Sequence, residues 1–202
     1  MKISDIIFQF KITLKDINPP IWRRIQVPFN YSFWDLHVAI QDSMGWFDCH
    51  LHAFHVKKKH SRNIIEIGIP SDDDFDDMEI LLGWEEFIAD YFQLPGEAVE
   101  YEYDFGDSWL HEILLEGIFL KEKKIKYPKC LAGQRACPPE DCGGVPGYES
   151  IIKILKDPKH EEYKGTIEWL SGSYGKYDPE IFDCNKVRFG NPSKRLEMAF
   201  SE

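Results

Sequence analysis

The sequence predicts an α+β fold. A mixed sheet starts strand–strand–helix–strand–strand in the manner of a β-grasp roll, and an irregular and helical C-terminal third follows. Three observations predict it. Residues 6–15 and 99–114 alternate apolar and polar side chains, the period of a half-buried strand. Residues 33–47 place apolar side chains three and four apart, the spacing of a helix that covers a sheet. Over residues 127–148, glycine, proline and cysteine interrupt every such pattern, and helical spacing resumes only after it.

At 202 residues, 43% hydrophobic and 14% aromatic, the chain can bury a core, and one domain over 1–202 is expected. Within it, 1–126 should form the sheet core and 127–202 a Cys/Gly/Pro loop with a helical C-terminal part. No run approaches the ~18 apolar residues of a membrane span, and the start passes into strand without an apolar signal core. The expected location is cytoplasmic, with no membrane partner. The net charge of −11 is concentrated in residues 61–120, where Arg62 is the one basic residue. Such a block repels nucleic acid and attracts cations or a basic partner; the alternative is a solvated acidic face.

In chain order, Ile6 to Leu14 reads as a strand, Asn18-Pro19-Pro20 as a turn, and Ile21 to Val27 as its hairpin partner. Ser32 with Asp35 forms a capping box before a helix over 33–46, carried by Phe33, Leu36, Ile40 and Met44 and ended near Gly45. Cys49 to His55 reads as a strand with His50 and His52 on one face. Two such imidazoles can ligate a metal, or can be partly buried and bonded to backbone. A basic turn at Lys57–Lys59 and Arg62, a strand over 64–69 and an acidic loop at 72–77 come next. Residues 83–93 are predicted to be a short helix, stopped by Leu94-Pro95-Gly96. In the hairpin that follows, Tyr101, Tyr103, Trp109 and His111 should share one face and Glu100, Glu102 and Asp104 the other, with Gly106-Asp107 at the turn. Residues 130–148 should hold no regular element. Helices are expected over 149–155, burying Ile151, Ile152 and Leu155, and over 162–170, burying Ile167, Trp169 and Leu170. A last helix carries Leu196, Met198 and Phe200.

Two constellations suggest chemistry. Cys130, Cys137 and Cys142 lie within thirteen residues, and with a fourth ligand from Cys184 or a histidine they could bind zinc. Otherwise they are buried thiols, since an odd five cysteines without an export signal argue against a disulfide scaffold. Asp104, Asp107, Glu140 and Asp141, with Trp109 and His111 beside the first pair, are the candidate functional surface. Converging carboxylates hold hard cations for hydrolysis, whereas the same residues apart are ordinary turn and capping groups.

Several stretches together resemble the plasmid pRiA4b ORF-3-like family. They are Pro19-Pro20-Ile21-Trp22-Arg23-Arg24, the Leu36-His37 to Gly45-Trp46 helix, His50-Leu51-His52, Tyr103-Asp104-Phe105-Gly106-Asp107-Ser108-Trp109 and Cys137-Pro138-Pro139-Glu140-Asp141-Cys142-Gly143-Gly144. The resemblance implies an α+β domain associated with plasmids and transposable elements and a resolvase-type role. It supplies no catalytic residues. The expected function is therefore a non-catalytic binding module of plasmid or mobile-element biology. The alternative is a divalent-metal-dependent hydrolase or nuclease using the four carboxylates. A protein partner is expected; DNA contact would run through the basic outer thirds, around Trp22, Arg23, Arg24, Lys57–Lys59 and Lys121–Lys126.

Overall fold

The structure, a computed structural model, describes residues 5–57, 64–70 and 80–201. The basic turn around 58–62 and the acidic run 72–77 lie outside the described residues. The expected α+β architecture is present as one eight-stranded mixed sheet with helices. Strands β1 (Ile6–Leu14) and β2 (Ile21–Pro28) pair antiparallel, with Phe8 opposite Val27 and Leu14 opposite Ile21. Alternation turns Phe8, Phe10, Ile12 and Leu14 to the same buried face as Ile21, Arg23, Ile25 and Val27.

Helix α1 (Phe33–Met44) lays its apolar side on that face and buries Phe33, Leu36, Ile40 and Met44. The Ser32 side chain accepts from Asp35 N–H while Asp35 accepts from Ser32 N–H, the predicted capping box. Gly45 ends the helix at φ 98°, a left-handed position that favours glycine.

Strands β3 (His52–Lys57), β4 (Ile64–Gly68) and β5 (Ile80–Leu82), the short helix α2 (Ile88–Tyr91), and strands β6 (Ala98–Tyr103), β7 (Trp109–Leu120) and β8 (Lys129–Gln134) follow. Helices α3 (Gly144–Lys156), α4 (Tyr163–Tyr174) and α5 (Pro192–Ala199) complete the chain. The sheet order is β5-β4-β3-β6-β7-β1-β2-β8, and β4–β5 is its parallel pair. The β6–β7 hairpin thus lies inside the sheet, between the β3 and β1 neighbours. Tyr101 stands opposite His111 and Tyr103 opposite Trp109, and all four side chains are fully buried. No helix among the described residues is long and apolar enough to cross a membrane.

Local expectations fail where tertiary partners take over the backbone. Over 83–93 only Ile88–Tyr91 is helical, because Gly83 and Glu86 give their carbonyls to Trp34 and Phe33 N–H at the start of α1. The stretch 130–148 is not wholly irregular. Its first residues form β8, which pairs with β2, and its last begin α3. Gly147 is needed there, since a Cβ would collide with the Cys142 carbonyl. The strand expected from Cys49 begins only at His52, so His50 sits in the preceding loop. On α4, Leu170 is buried, but Ile167 and Trp169 are exposed, because that helix packs through one narrow edge.

His111 donates its Nδ1–H to the Tyr101 carbonyl (3.3 Å), and burial lowers its pKa to about 3. The unfolded chain therefore binds a proton below about pH 6.5 that the native state refuses. Stability from this group is complete above about pH 6.5 and is lost as the pH falls toward about 3, with a slope of about 1.4 kcal/mol per pH unit. Urea unfolding at about pH 7 and about pH 4.5 should show a shallower acid decline in His111→Gln than in the wild type. Parallel declines would place the acid sensitivity elsewhere.

Candidate metal centre

Three loops meet at one end of the β6–β7 hairpin: residues 45–51 after α1, the 104–108 turn, and 137–144 before α3. Gly45 turns the chain out of α1, and Trp46 then donates its indole N–H to the Pro138 carbonyl (3.0 Å). Phe47 N–H donates to Glu140 Oε1 (2.7 Å), and the Phe47 ring stacks on Tyr174. Tyr174 Oη in turn accepts from Glu140 N–H (2.7 Å). Tyr103 Oη donates to Glu140 Oε1 (3.1 Å) and accepts from Cys49 N–H (3.1 Å). Asp107 Oδ2 accepts from Gly143 N–H, and a Cβ on Gly144 would stand 2.6 Å from the Asp107 carbonyl. A side chain at Gly144 would therefore push the 137–144 loop off the hairpin.

The turn is built differently from the expected glycine reversal. Asp104 (φ 56°) and Ser108 (φ 52°) take the left-handed positions, and Asp104 Oδ1 accepts from Gly106 and Asp107 N–H (3.0 and 3.4 Å). This backbone reversal takes Asp104 off the outer face of Glu100 and Glu102 and buries it. Its second oxygen, Oδ2, lies 3.6 Å from His50 Nε2, and Asp141 Oδ1 lies 3.1 Å from the same nitrogen. The Nε2 atom is buried, and despite these distances it makes no hydrogen bond: the oxygens stand off the N–H axis. Glu140 is buried as well, with Oε1 doubly bonded and Oε2 without a hydrogen-bond partner. Burial raises its pKa against the opposing pull of the Phe47 and Tyr103 donors.

The sequence-derived candidates thus divide. Asp104 and Asp141 come together, and Glu140 lies behind them. Asp107 serves the loop junction. Trp109 and His111 are not surface residues at all, because strand alternation puts both in the core beneath α1. Cys130, Cys137 and Cys142 do not gather into a ligand set. Among the described residues, the groups with mutual ligating reach are Cys49, His50, Glu140 and His50, Asp104, Asp141. Burial pushes Cys130 up to about 11 and Cys142 up to about 12, and raises Cys137 too, so these thiols stay protonated core groups. The basic rim also changes. Arg23 is buried, and Arg24 forms a two-pronged pair with Glu116 (2.6 and 2.7 Å). Cys49 and Tyr103 join the site unforeseen; His50, named with His52 as a possible ligand, joins it without His52, which is buried against His37.

Beside this centre opens a cavity of about 770 Å³ between the 47–52 loop and α5. Trp34, Phe47, Leu51, Met198 and Phe200 give it apolar walls, and the last four are largely exposed. Its floor is polar. His37 stacks on His52 with ring centroids 3.4 Å apart, and bonds Tyr101 Oη and Asp48 Oδ1, each at 2.8 Å. Burial, with the His37 charge adding to it, holds His52 well below the usual histidine range. Burial tends to raise Asp48, but the His37 bond and the Arg195 charge outweigh it and lower its pKa. Arg195 ties α5 to this floor through Asp48 (3.2 Å) and Asp42 (2.7 Å).

Fold and site define an α+β protein with a broad, mostly antiparallel sheet, a histidine–carboxylate cluster at a hairpin tip and an open apolar cavity beside it. The chain belongs to the plasmid pRiA4b ORF-3-like protein family, whose model matches residues 6–186. It is similar to the uncharacterized protein y4hQ of Sinorhizobium fredii, with 32% identity over 167 residues, covering 83% of this chain and 82% of that one. It is also similar to the crystal structure of MM3350, a protein of unknown function from Methanosarcina mazei Go1. That match has 42% identity and a TM-score of 0.81, over 91% of this chain and 98% of the other.

Tyr103 is the hinge pin of the three loops. Tyr103→Phe leaves the Cys49 N–H without its acceptor and the buried Glu140 Oε1 one donor short, and should lower stability by about 1–3 kcal/mol in urea unfolding. A variant as stable as the wild type would show that these loops are held without the hydroxyl.

Proposed function

We propose that this protein is a non-catalytic binding module that docks a protein segment in the cavity between the 47–52 loop and α5. The observation that carries this reading is the grouping of exposed Phe47, Leu51, Met198 and Phe200 around one concavity with a polar floor. An open apolar concavity with a few convergent polar groups suits an apolar side chain whose backbone is hydrogen-bonded at the rim. Membership of a plasmid-named family supports a setting in plasmid or transposable-element biology. DNA is the weaker partner, because Arg23 is buried and Arg24 and Arg135 are engaged by Glu116 and Glu180. A displayed peptide library panned against the wild type should enrich apolar-anchored peptides. Met198→Asp with Phe200→Asp should weaken their binding at least about tenfold without lowering the melting temperature. No enrichment, or peptides held equally by the variant, would remove the reading.

One observation favours a second reading, a divalent-metal-dependent hydrolase or nuclease: Asp104 and Asp141 converge on His50. Phosphodiester hydrolysis with Mn²⁺ or Mg²⁺, lost in Asp104→Asn, would establish it. Asparagine keeps the Oδ1 acceptor of the turn and removes the charge. Absence of turnover in the wild type leaves the binding module.

A further inference from the structure

The loop cluster contains more negative charge than its own cations balance. Among the described residues, the ion-pair partner of Asp104 and Asp141 is His50 alone, and Glu140 has none. One imidazole thus faces three carboxylates, one of them buried with a free oxygen. An added cation would resolve this imbalance.

The distances fit ligands of one shared ion. Two ligands about 2.1 Å from one ion stand about 3.4 Å apart in a tetrahedral arrangement and about 3.0 Å apart in an octahedral one. His50 Nε2 lies 3.1 and 3.6 Å from its two aspartate oxygens, which brackets both values. A protonated imidazole neutralising these aspartates would aim its N–H at one of them, and it does not. Oxygens placed off the nitrogen axis are what neighbouring ligands of a shared ion present.

We propose that His50, Asp104 and Asp141 hold one first-row divalent metal ion of the zinc class, with the Glu140 carboxylate within reach of the same imidazole. The three ligating atoms lie within 4.8 Å of one another, and a Glu140 oxygen, with the Cys49 sulfur, forms a second such group around His50. An imidazole ligand favours zinc, nickel or iron over calcium and magnesium, which take oxygen. The backbone prepares the site, since Asp104 and Asp141 both occupy left-handed positions that aspartate tolerates better than most residues. Asp104 is oriented by the two N–H groups on its other oxygen. The Asp141 side chain is 72% exposed, which leaves the ion an open side toward solvent. This inference goes beyond the docking reading and deepens the hydrolase reading without depending on turnover.

The test is metal binding itself, on the full chain stripped with chelator and titrated with Co²⁺ and Zn²⁺. Calorimetry and elemental analysis after dialysis should give about one equivalent, with Ca²⁺ and Mg²⁺ bound far more weakly. His50→Ala should abolish binding, and Asp141→Asn and Glu140→Gln should each weaken it about tenfold or more. Asp141 is exposed, so its variant folds even if the others do not; circular dichroism of the stripped proteins checks each. Met198→Asp with Phe200→Asp should bind metal like the wild type, which separates a failed metal site from a failed docking cavity. Wild-type protein that takes up no stoichiometric Co²⁺ or Zn²⁺ overturns the proposal, as does His50→Ala or Asp141→Asn with unchanged affinity. Preference for Ca²⁺ or Mg²⁺ overturns the metal class.

Discussion

The buried guanidinium of Arg23 is the interaction on which the arrangement of helix, sheet and site loops depends. Its Nε donates to the Ser43 carbonyl (2.8 Å), Nη1 to the carbonyls of Trp22 and Gln134 (2.9 and 3.0 Å), and Nη2 to that of Met44 (3.5 Å). These partners belong to the last turn of α1, to β2 and to the end of β8. The guanidinium plane also lies over the Phe182 ring, 3.7 Å from its centroid. Burial lowers its pKa only to about 10, so it remains charged at neutral pH. The compensation comes from carbonyl dipoles, two of them at the negative end of a helix that leaves its last carbonyls without intrahelical partners. Arginine can do this because its planar fork offers five donors in fixed directions. With the end of α1 pinned to the sheet, the left-handed Gly45 directs residues 46–51 over the hairpin tip, where His50 meets Asp104 and Asp141.

The site then follows from the sheet. Because β6 and β7 sit inside it, their inward ring face is buried in the core, while the tip stays within reach of the neighbouring loops. Tyr103 is the last inward residue of β6, close enough to the tip for its hydroxyl to reach both neighbouring loops. The left-handed turn at Asp104 swings a carboxylate from the acidic outer face to the loop junction. The same chain reversal that closes the hairpin thus creates half of the candidate metal centre.

The two functional readings share this geometry and use different sides of it. The cavity lies between the 47–52 loop and α5, the cluster between that loop and the two others, and His50 borders both. A metal ion there would neutralise the carboxylates next to the cavity and stiffen its 47–52 wall. The acidic composition of the middle of the chain thus gains a local meaning: part of it, Asp104, faces a centre that calls for a cation.

Much of this was legible in the sequence. Period-two alternation determined the β1–β2 and β6–β7 hairpins and the shared face of Tyr101, Tyr103, Trp109 and His111, because strand geometry allows no other placement. The Ser32–Asp35 capping box and Gly45 determined the ends of α1, because helix termini need local partners. Tertiary structure alone decided what depends on distant backbone. The carbonyls of Gly83 and Glu86 serve α1 rather than a helix of their own, and β8 forms because the edge of β2 lies open to it. His50 and Asp141 are 91 residues apart, and Asp104 joins them through a single positive φ. No local pattern encodes such a meeting, since side chains converge in space only after the sheet has set the positions of the loops that carry them.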